Sequence, residues 1–158
     1  CKYGHSALDG VMTLTLIKSG IEPNPTADQE EHTFTYALYP HAEGWRQANT
    51  VQEAMKLNQP LLSEDGGHAG CQNSFVWVDK SNVIIETVKM AEDDDGIIVR
   101  LYESENAKTK AHIFFGEKIS SVESCNCLEE IKQTIETDGE GFEITVKPYE
   151  IQTYRVRF

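Results

Sequence analysis

An all-β chain is expected: an antiparallel β-sandwich preceded by the end of a larger sheet domain, with one short helix between them. Three observations lead there. Apolar and polar residues alternate at 11–18 and again at 33–39. Seven short β-type runs separated by Gly- and Asp-containing turns fill the last 85 or so residues. A single stretch, 45–57, repeats at helical spacing. Period two places successive side chains on opposite faces of a strand, whereas a period near 3.6 builds one apolar stripe on a helix.

In chain order, Met12, Leu14 and Leu16 share one face of the first strand, with Thr13 and Thr15 on the other. Residues 20–31 hold two prolines, Asn24 and a run of acids, which is loop composition. Phe34, Tyr36 and Leu38 then fall on one face of a second strand, Thr33 to Tyr39. Trp45, Ala48, Val51, Ala54 and Met55 recur at helical spacing, and Pro60 stops the helix. Residues 1–62 have too few strands to bury both sheet faces, so edge strands and apolar surface are expected there, favouring self-association.

Residues 63–73, with Asp65–Gly66–Gly67 and Gly70, read as a linker. Strands follow at Phe75–Val78, Val83–Met90, Ile97–Glu103, Lys110–Phe115, more weakly near Ile119–Val122, then at Phe142–Val146 and Ile151–Phe158. Asp95–Gly96 and Asp138–Gly139–Glu140–Gly141 are hairpin signals, because glycine accepts positive φ without a steric penalty. Leu128, Ile131 and Ile135 fit a helical turn or a strand, and both readings stay open. The segment 74–158 has the size of an immunoglobulin-like sandwich.

With 158 residues, 39% hydrophobic and 25% charged, the chain is globular in composition and long enough for one domain plus part of another. A net charge of −12 argues against nucleic-acid and anionic-membrane partners. No apolar run approaches a membrane span and no signal-peptide pattern is present, and the start at Cys1 reads as a piece of a longer protein. Cys1, Cys71, Cys125 and Cys127 form no CxxC pair, and free thiols suit a cytoplasmic location.

Several groups invite a chemical role. Asp28 and His32 lie four apart, but without a third ligand a hydrogen-bonding role in the loop is favoured over a metal pair. Asp93–Asp94–Asp95 lacks the alternating ligand spacing of a calcium loop and reads as a solvated turn. His41 after Pro40 reads as the cap of a strand end rather than a catalytic group, and His5, His68 and His112 are isolated. Trp77, Tyr102, Tyr149 and Tyr154 are either core or a stacking platform for sugar rings. Neither a phosphate-binding loop nor a GxSxG nucleophile elbow occurs.

A family resemblance rests on motifs occurring in order: Lys2–Tyr3–Gly4, Thr13 to Ser19, Pro23 to Pro25, Ala27–Asp28, His32 to Leu38, Pro40–His41 and Asn58–Gln59–Pro60–Leu61. It continues through Val83–Ile84–Ile85 to Lys89, Asp93–Asp94–Asp95–Gly96, Val99 to Glu103 and Val146–Lys147–Pro148–Tyr149–Glu150–Ile151–Gln152–Thr153. Together these resemble the C-terminal region of a bacterial-type family 38 α-mannosidase. The resemblance implies that residues 1–62 end a large, mutarotase-like β-sandwich and that 74–158 form a small one. It implies a parent that hydrolyses terminal α-linked mannose with retention and uses zinc. Its nucleophile, acid/base and zinc ligands would lie in an N-terminal catalytic domain upstream of residue 1, so no catalytic or metal residue is expected in this chain. The chain itself would be a catalytically silent support, cleft wall and homo-oligomer contact. Candidates for contact with an α-mannoside substrate are Lys18, Asp28 and His32. Lys18 stands where relatives commonly carry an arginine, whose planar fork a lysine does not reproduce. A carbohydrate-binding sandwich without catalysis is the alternative, and a pure assembly module a third reading.

Overall fold

The computed structural model describes residues 4–63 and 74–158. The described residues up to Ala42 form one unit and those from Glu43 onward a second. The expected linker at 63–73 lies almost wholly outside the described residues, as do Cys1, Cys71 and His68.

In the first unit, β1 (His5–Leu8) and β2 (Val11–Leu14) form an antiparallel hairpin in which His5 faces Leu14 and Leu8 faces Val11. The tight turn places Asp9 and Gly10 at positive φ, 50° and 76°, the pairing that a two-residue hairpin requires. The strand expected over 11–18 is thus shorter, and it has a partner not anticipated from the sequence. The strand expected at Thr33–Tyr39 is corrected: this stretch takes no regular secondary structure. Alternation makes a segment strand-like, but a ladder also needs a neighbouring strand in register, which alternation does not supply. No residue of this unit falls in the buried class, and Leu8, Met12, Tyr36 and Leu38 are all largely exposed.

The second unit opens with turns at 45–49 and helix α1 (Thr50–Asn58). The helix expected from residue 45 begins later because Asn49 sits in the left-handed region, φ 51°, which asparagine tolerates better than most residues. Gln59, before Pro60, leaves the helical region, at φ −127° and ψ 72°, as the residue before a proline is driven to do. The Arg46 Nε–H donates to the Glu105 carbonyl at 2.8 Å and the Gln52 side chain to the Ser81 carbonyl at 2.5 Å.

A sandwich follows, as the sequence predicts. Its strands are β3 (Val76–Val78), β4 (Val83–Met90), β5 (Ile97–Glu103), β6 (Thr109–Phe115), β7 (Ser121–Cys125), β8 (Ile131–Ile135), β9 (Gly141–Val146) and β10 (Ile151–Arg157). The segment left open between helix and strand is therefore β8. All pairings are antiparallel, in a five-stranded sheet ordered β4-β5-β10-β7-β8 and a three-stranded sheet ordered β3-β6-β9.

Alternation decides what enters the core. On β6, Ala111, Ile113 and Phe115 point in while Lys110, His112 and Phe114 point out; on β9, Phe142, Ile144 and Val146 point in. Val99 and Leu101 of β5 and Tyr154 and Val156 of β10 close the core from the other sheet. Burying each large side chain of this kind contributes about 1.5–3 kcal/mol. Tyr154 packs on Phe142 with ring centroids 4.9 Å apart and donates its hydroxyl to Gln152 Oε1 at 2.7 Å, which satisfies the buried phenol. In the β4–β5 turn, Gly96 has φ +96°, and a Cβ there would lie 2.7 Å from the Val156 carbonyl oxygen, so only glycine fits.

Candidate functional site

Charged groups are placed with unequal care across the sandwich. Glu103, at the end of β5, is fully buried on the core side. Its Oε1 accepts from Asn82 Nδ2 at 2.9 Å and from the Glu105 N–H at 2.7 Å, and its Oε2 accepts from the Tyr149 N–H at 3.0 Å. Burial pushes this carboxyl upward, but the N–H groups of Tyr149, Asn82, Glu105 and Ala107 together outweigh burial and hold it below the ordinary glutamate range. One carboxylate therefore ties together three separate turns. It also holds Tyr149 at φ 56°, an unfavourable setting for a residue with a Cβ.

The outer face of the five-stranded sheet carries an ion-pair ladder. Arg157 donates to both carboxylate oxygens of Asp95, at 2.9 and 2.8 Å, and to Glu123 at 2.7 Å. Arg155, nearly buried, donates to Asp93 at 2.7 Å. Lys89 bridges to Glu129 at 2.8 Å. The Arg155 and Arg157 guanidiniums hold the Asp93 and Asp95 carboxyls below the usual aspartate range. Asp93 and Asp95 of the acidic turn are thus arginine-paired at the hairpin end.

The sequence candidates sit in the first unit. Asn24 organises their loop by accepting from the Thr26 N–H and hydroxyl, at 3.1 and 2.9 Å. Asp28, half-buried, has φ 57°, and its carbonyl accepts from His32 Nε2 at 2.9 Å. Asp28 and His32 are therefore brought together, but through backbone and ring, the loop-ordering role favoured from their spacing. Lys18 is exposed in the irregular segment after β2. Among the described residues no group of three or more His, Cys, Asp or Glu could hold a metal ion. Cys125 is buried and Cys127 exposed, both as free thiols; burial pushes the Cys125 thiol up.

The four aromatics named as a possible platform do not share one open face. Tyr154 is core, Tyr102 lies on the outer side of β5, and Tyr149 occupies the β9–β10 turn. Trp77 alone stands on the outer face of the three-stranded sheet. Its companions there are Phe114, its direct register partner, and His112, which the sequence reads as an isolated histidine. The two-residue period of a strand over 109–115 was the signal that could have put His112 and Phe114 on one face.

Comparison with known proteins agrees with this architecture. Residues 82–154, which run from the turn before β4 into β10, match the glycosyl hydrolases family 38 C-terminal beta sandwich domain. Alpha-mannosidase G of Dictyostelium discoideum is 32% identical over 163 residues, covering 98% of this chain and 15% of that protein. Alpha-mannosidase 2C1 of Mus musculus is 29% identical over 160 residues, covering 97% of this chain and 15% of that protein. Its namesake in Homo sapiens is 32% identical over 134 residues, covering 82% and 13%. These relatives are eukaryotic and lend no support to a bacterial source. The chain spans about 15% of the length of the curated relatives it matches. Sequence motifs, sandwich topology and these matches converge: the chain belongs to glycosyl hydrolase family 38, as a C-terminal region in which residues 82–154 form the β-sandwich domain.

Proposed function

We propose that this chain is the non-catalytic C-terminal part of a longer α-mannosidase, which it supports structurally while walling part of the cleft and contributing to oligomer contacts. The parent reaction is hydrolysis of terminal α-linked mannose with retention. Such chemistry needs a nucleophilic carboxylate and an acid/base carboxyl about 5 Å apart. Zinc in the parent would fix sugar hydroxyls and stabilise charge as a Lewis acid. In this proposal the N-terminal catalytic domain supplies all of these groups, and Lys18, Asp28 and His32 are the residues of this chain nearest the substrate. The two free thiols among the described residues favour a reducing, cytoplasmic setting. No described helix is long and apolar enough to cross a membrane.

The observation that carries the supporting role is the surface of the first unit. Met12, Leu14, Tyr36 and Leu38, with His5, Thr13 and Ala37, line an open groove of about 420 Å³ on a unit that buries nothing of its own. An apolar face of this kind gains stability only when something covers it. The test is hydrolysis of a chromogenic α-mannoside by the purified chain with added zinc, beside its full-length parent. A silent chain and an active parent are expected. Zinc-dependent turnover by the chain alone would overturn the division of labour.

A further inference from the structure

The outer face of the three-stranded sheet is built differently from the rest of the surface. Trp77 on β3 faces Phe114 on β6 in register, and their rings stack with centroids 5.4 Å apart and planes 11° from parallel. Phe114 in turn meets the His112 ring, two residues along β6, at 4.3 Å and 37°. Phe114's register partner on β9 is Gly141, which puts no side chain on the face; a Cβ there would lie 2.6 Å from His112 Nε2. The result is a continuous strip of three rings whose last member leans over a glycine. Phe114 covers one face of the indole, and Trp77 remains 42% exposed on the edge strand β3.

Each end of the strip opens into a depression. Beside Trp77 and Phe114 lies one of about 190 Å³, rimmed by Glu117, Lys118 and Glu140. Beside His112 lies one of about 510 Å³, rimmed by Thr134, Glu136, Thr137, Asp138 and Glu143, within the range of about 300–1,000 Å³ typical of small-molecule sites. A cross-strand aromatic pair that merely stiffens the sheet would account for Trp77 and Phe114. It does not account for His112 Nε2, a buried polar atom with no hydrogen-bond partner. The Asp138 Oδ2 nearest to it is 3.9 Å away, beyond hydrogen-bond reach. A buried polar nitrogen left unmatched is destabilising unless something else completes it.

We propose that this strip is a saccharide-binding face for a neutral pyranoside, with one sugar ring laid on the open side of Trp77 and a linked ring in the larger depression. There His112 Nε2, Asp138 Oδ2 and the Glu143 carboxylate meet its hydroxyls. The chemistry selects this class. The C–H face of a pyranose matches an aromatic plane, and its rim of vicinal hydroxyls matches paired carboxylates and an imidazole. Carboxylates at Glu136, Asp138, Glu143, Glu117 and Glu140 disfavour anionic ligands. The choice of mannose as the sugar rests on the function proposed above; the site itself does not contain the reaction.

The test uses the full chain carrying Trp45→Phe. The chain has two tryptophans, so Trp77 is then the sole indole. Its Nε1–H resonance is followed by NMR while α-linked mannobiose is added. A saturable shift is expected. Glu143→Gln, an exposed change, is expected to weaken binding about tenfold, the loss of one hydrogen bond to a charged group, with the remaining spectrum unchanged. His112→Ala should weaken it at least as much. No saturable shift, an affinity that neither variant lowers, or a shift produced by a lysine-rich peptide and not by the disaccharide would overturn the proposal. Binding by the chain is read without turnover, so an inactive parent would sink the proposed function and leave this site untouched.

Discussion

Replacing Glu103 should damage the sandwich more than replacing any other carboxylate in it. Glu103→Ala removes the acceptor of three hydrogen bonds, from Asn82, Glu105 and Tyr149, in a fully buried position. A buried donor left unsatisfied costs about 1–3 kcal/mol. Water entering the small void would rescue part of this, which puts the loss at about 3–5 kcal/mol against a whole stability of about 5–15 kcal/mol. Glu103→Gln keeps one acceptor oxygen and turns the other into a donor facing donors, so about 2–3 kcal/mol is expected. The sign of the pH dependence follows from the depressed carboxyl. Its contribution is complete above the unfolded value near 4.5 and is lost as pH falls through the lower folded value. Urea unfolding followed by circular dichroism at pH 7, 5 and 3 measures both effects. The gap between wild type and Glu103→Gln should be widest at pH 7 and narrow toward pH 3. A gap below about 1 kcal/mol, or one that does not change with pH, would refute the reasoning.

Other outcomes follow from the same geometry. Gly96→Ala combines a positive φ with a backbone clash at 2.7 Å and should lower stability by about 2–3 kcal/mol, read as a drop in thermal midpoint. Tyr149→Gly relieves left-handed strain at an exposed position; it should leave stability unchanged or raise it by up to about 1 kcal/mol, and a large loss would mean the ring is held by more than its backbone. Arg157→Gln removes the guanidinium that holds Asp95 down, so the Asp95 carboxyl should titrate at higher pH when followed by carbon-detected NMR. An unmoved Asp95 would show that Arg155 alone sets its charge.

Much of the sandwich was legible because its signals are local. Alternation in Val83–Met90, Ile97–Glu103 and Lys110–Phe115, and glycine at 96 and 139, each act within a few residues. The first unit was harder for the opposite reason. Thr33–Tyr39 alternates as well as any strand of the sandwich, yet pairing depends on a neighbour that alternation does not report. The helix start moved because Asn49 takes a conformation that helical spacing cannot register. Glu103 falls in step with Val99 and Leu101, so its inward direction was readable; its partners Asn82 and Tyr149 come from turns distant in sequence and were not. The aromatic strip shows the same limit. Trp77 stood out by composition, while His112 read as an isolated histidine, because a register between β3 and β6 brings together residues some 35 positions apart.

Strand β10 lies between β5 and β7 in the five-stranded sheet, and this position governs the order in which the domain can be made. As the chain leaves the ribosome, β4 and β5 can close their hairpin at once, and β7 and β8 theirs. The two hairpins cannot join, however, until β10 emerges to lie between them, some 50 residues after β5. During that interval β5 and β7 each present an unpaired edge. Closure of the sandwich is thus a late event, coupled to release of its last strand. A ribosome that stalled before residue 151 would hold the two hairpins and the strands of the smaller sheet, but not the strand that joins the hairpins.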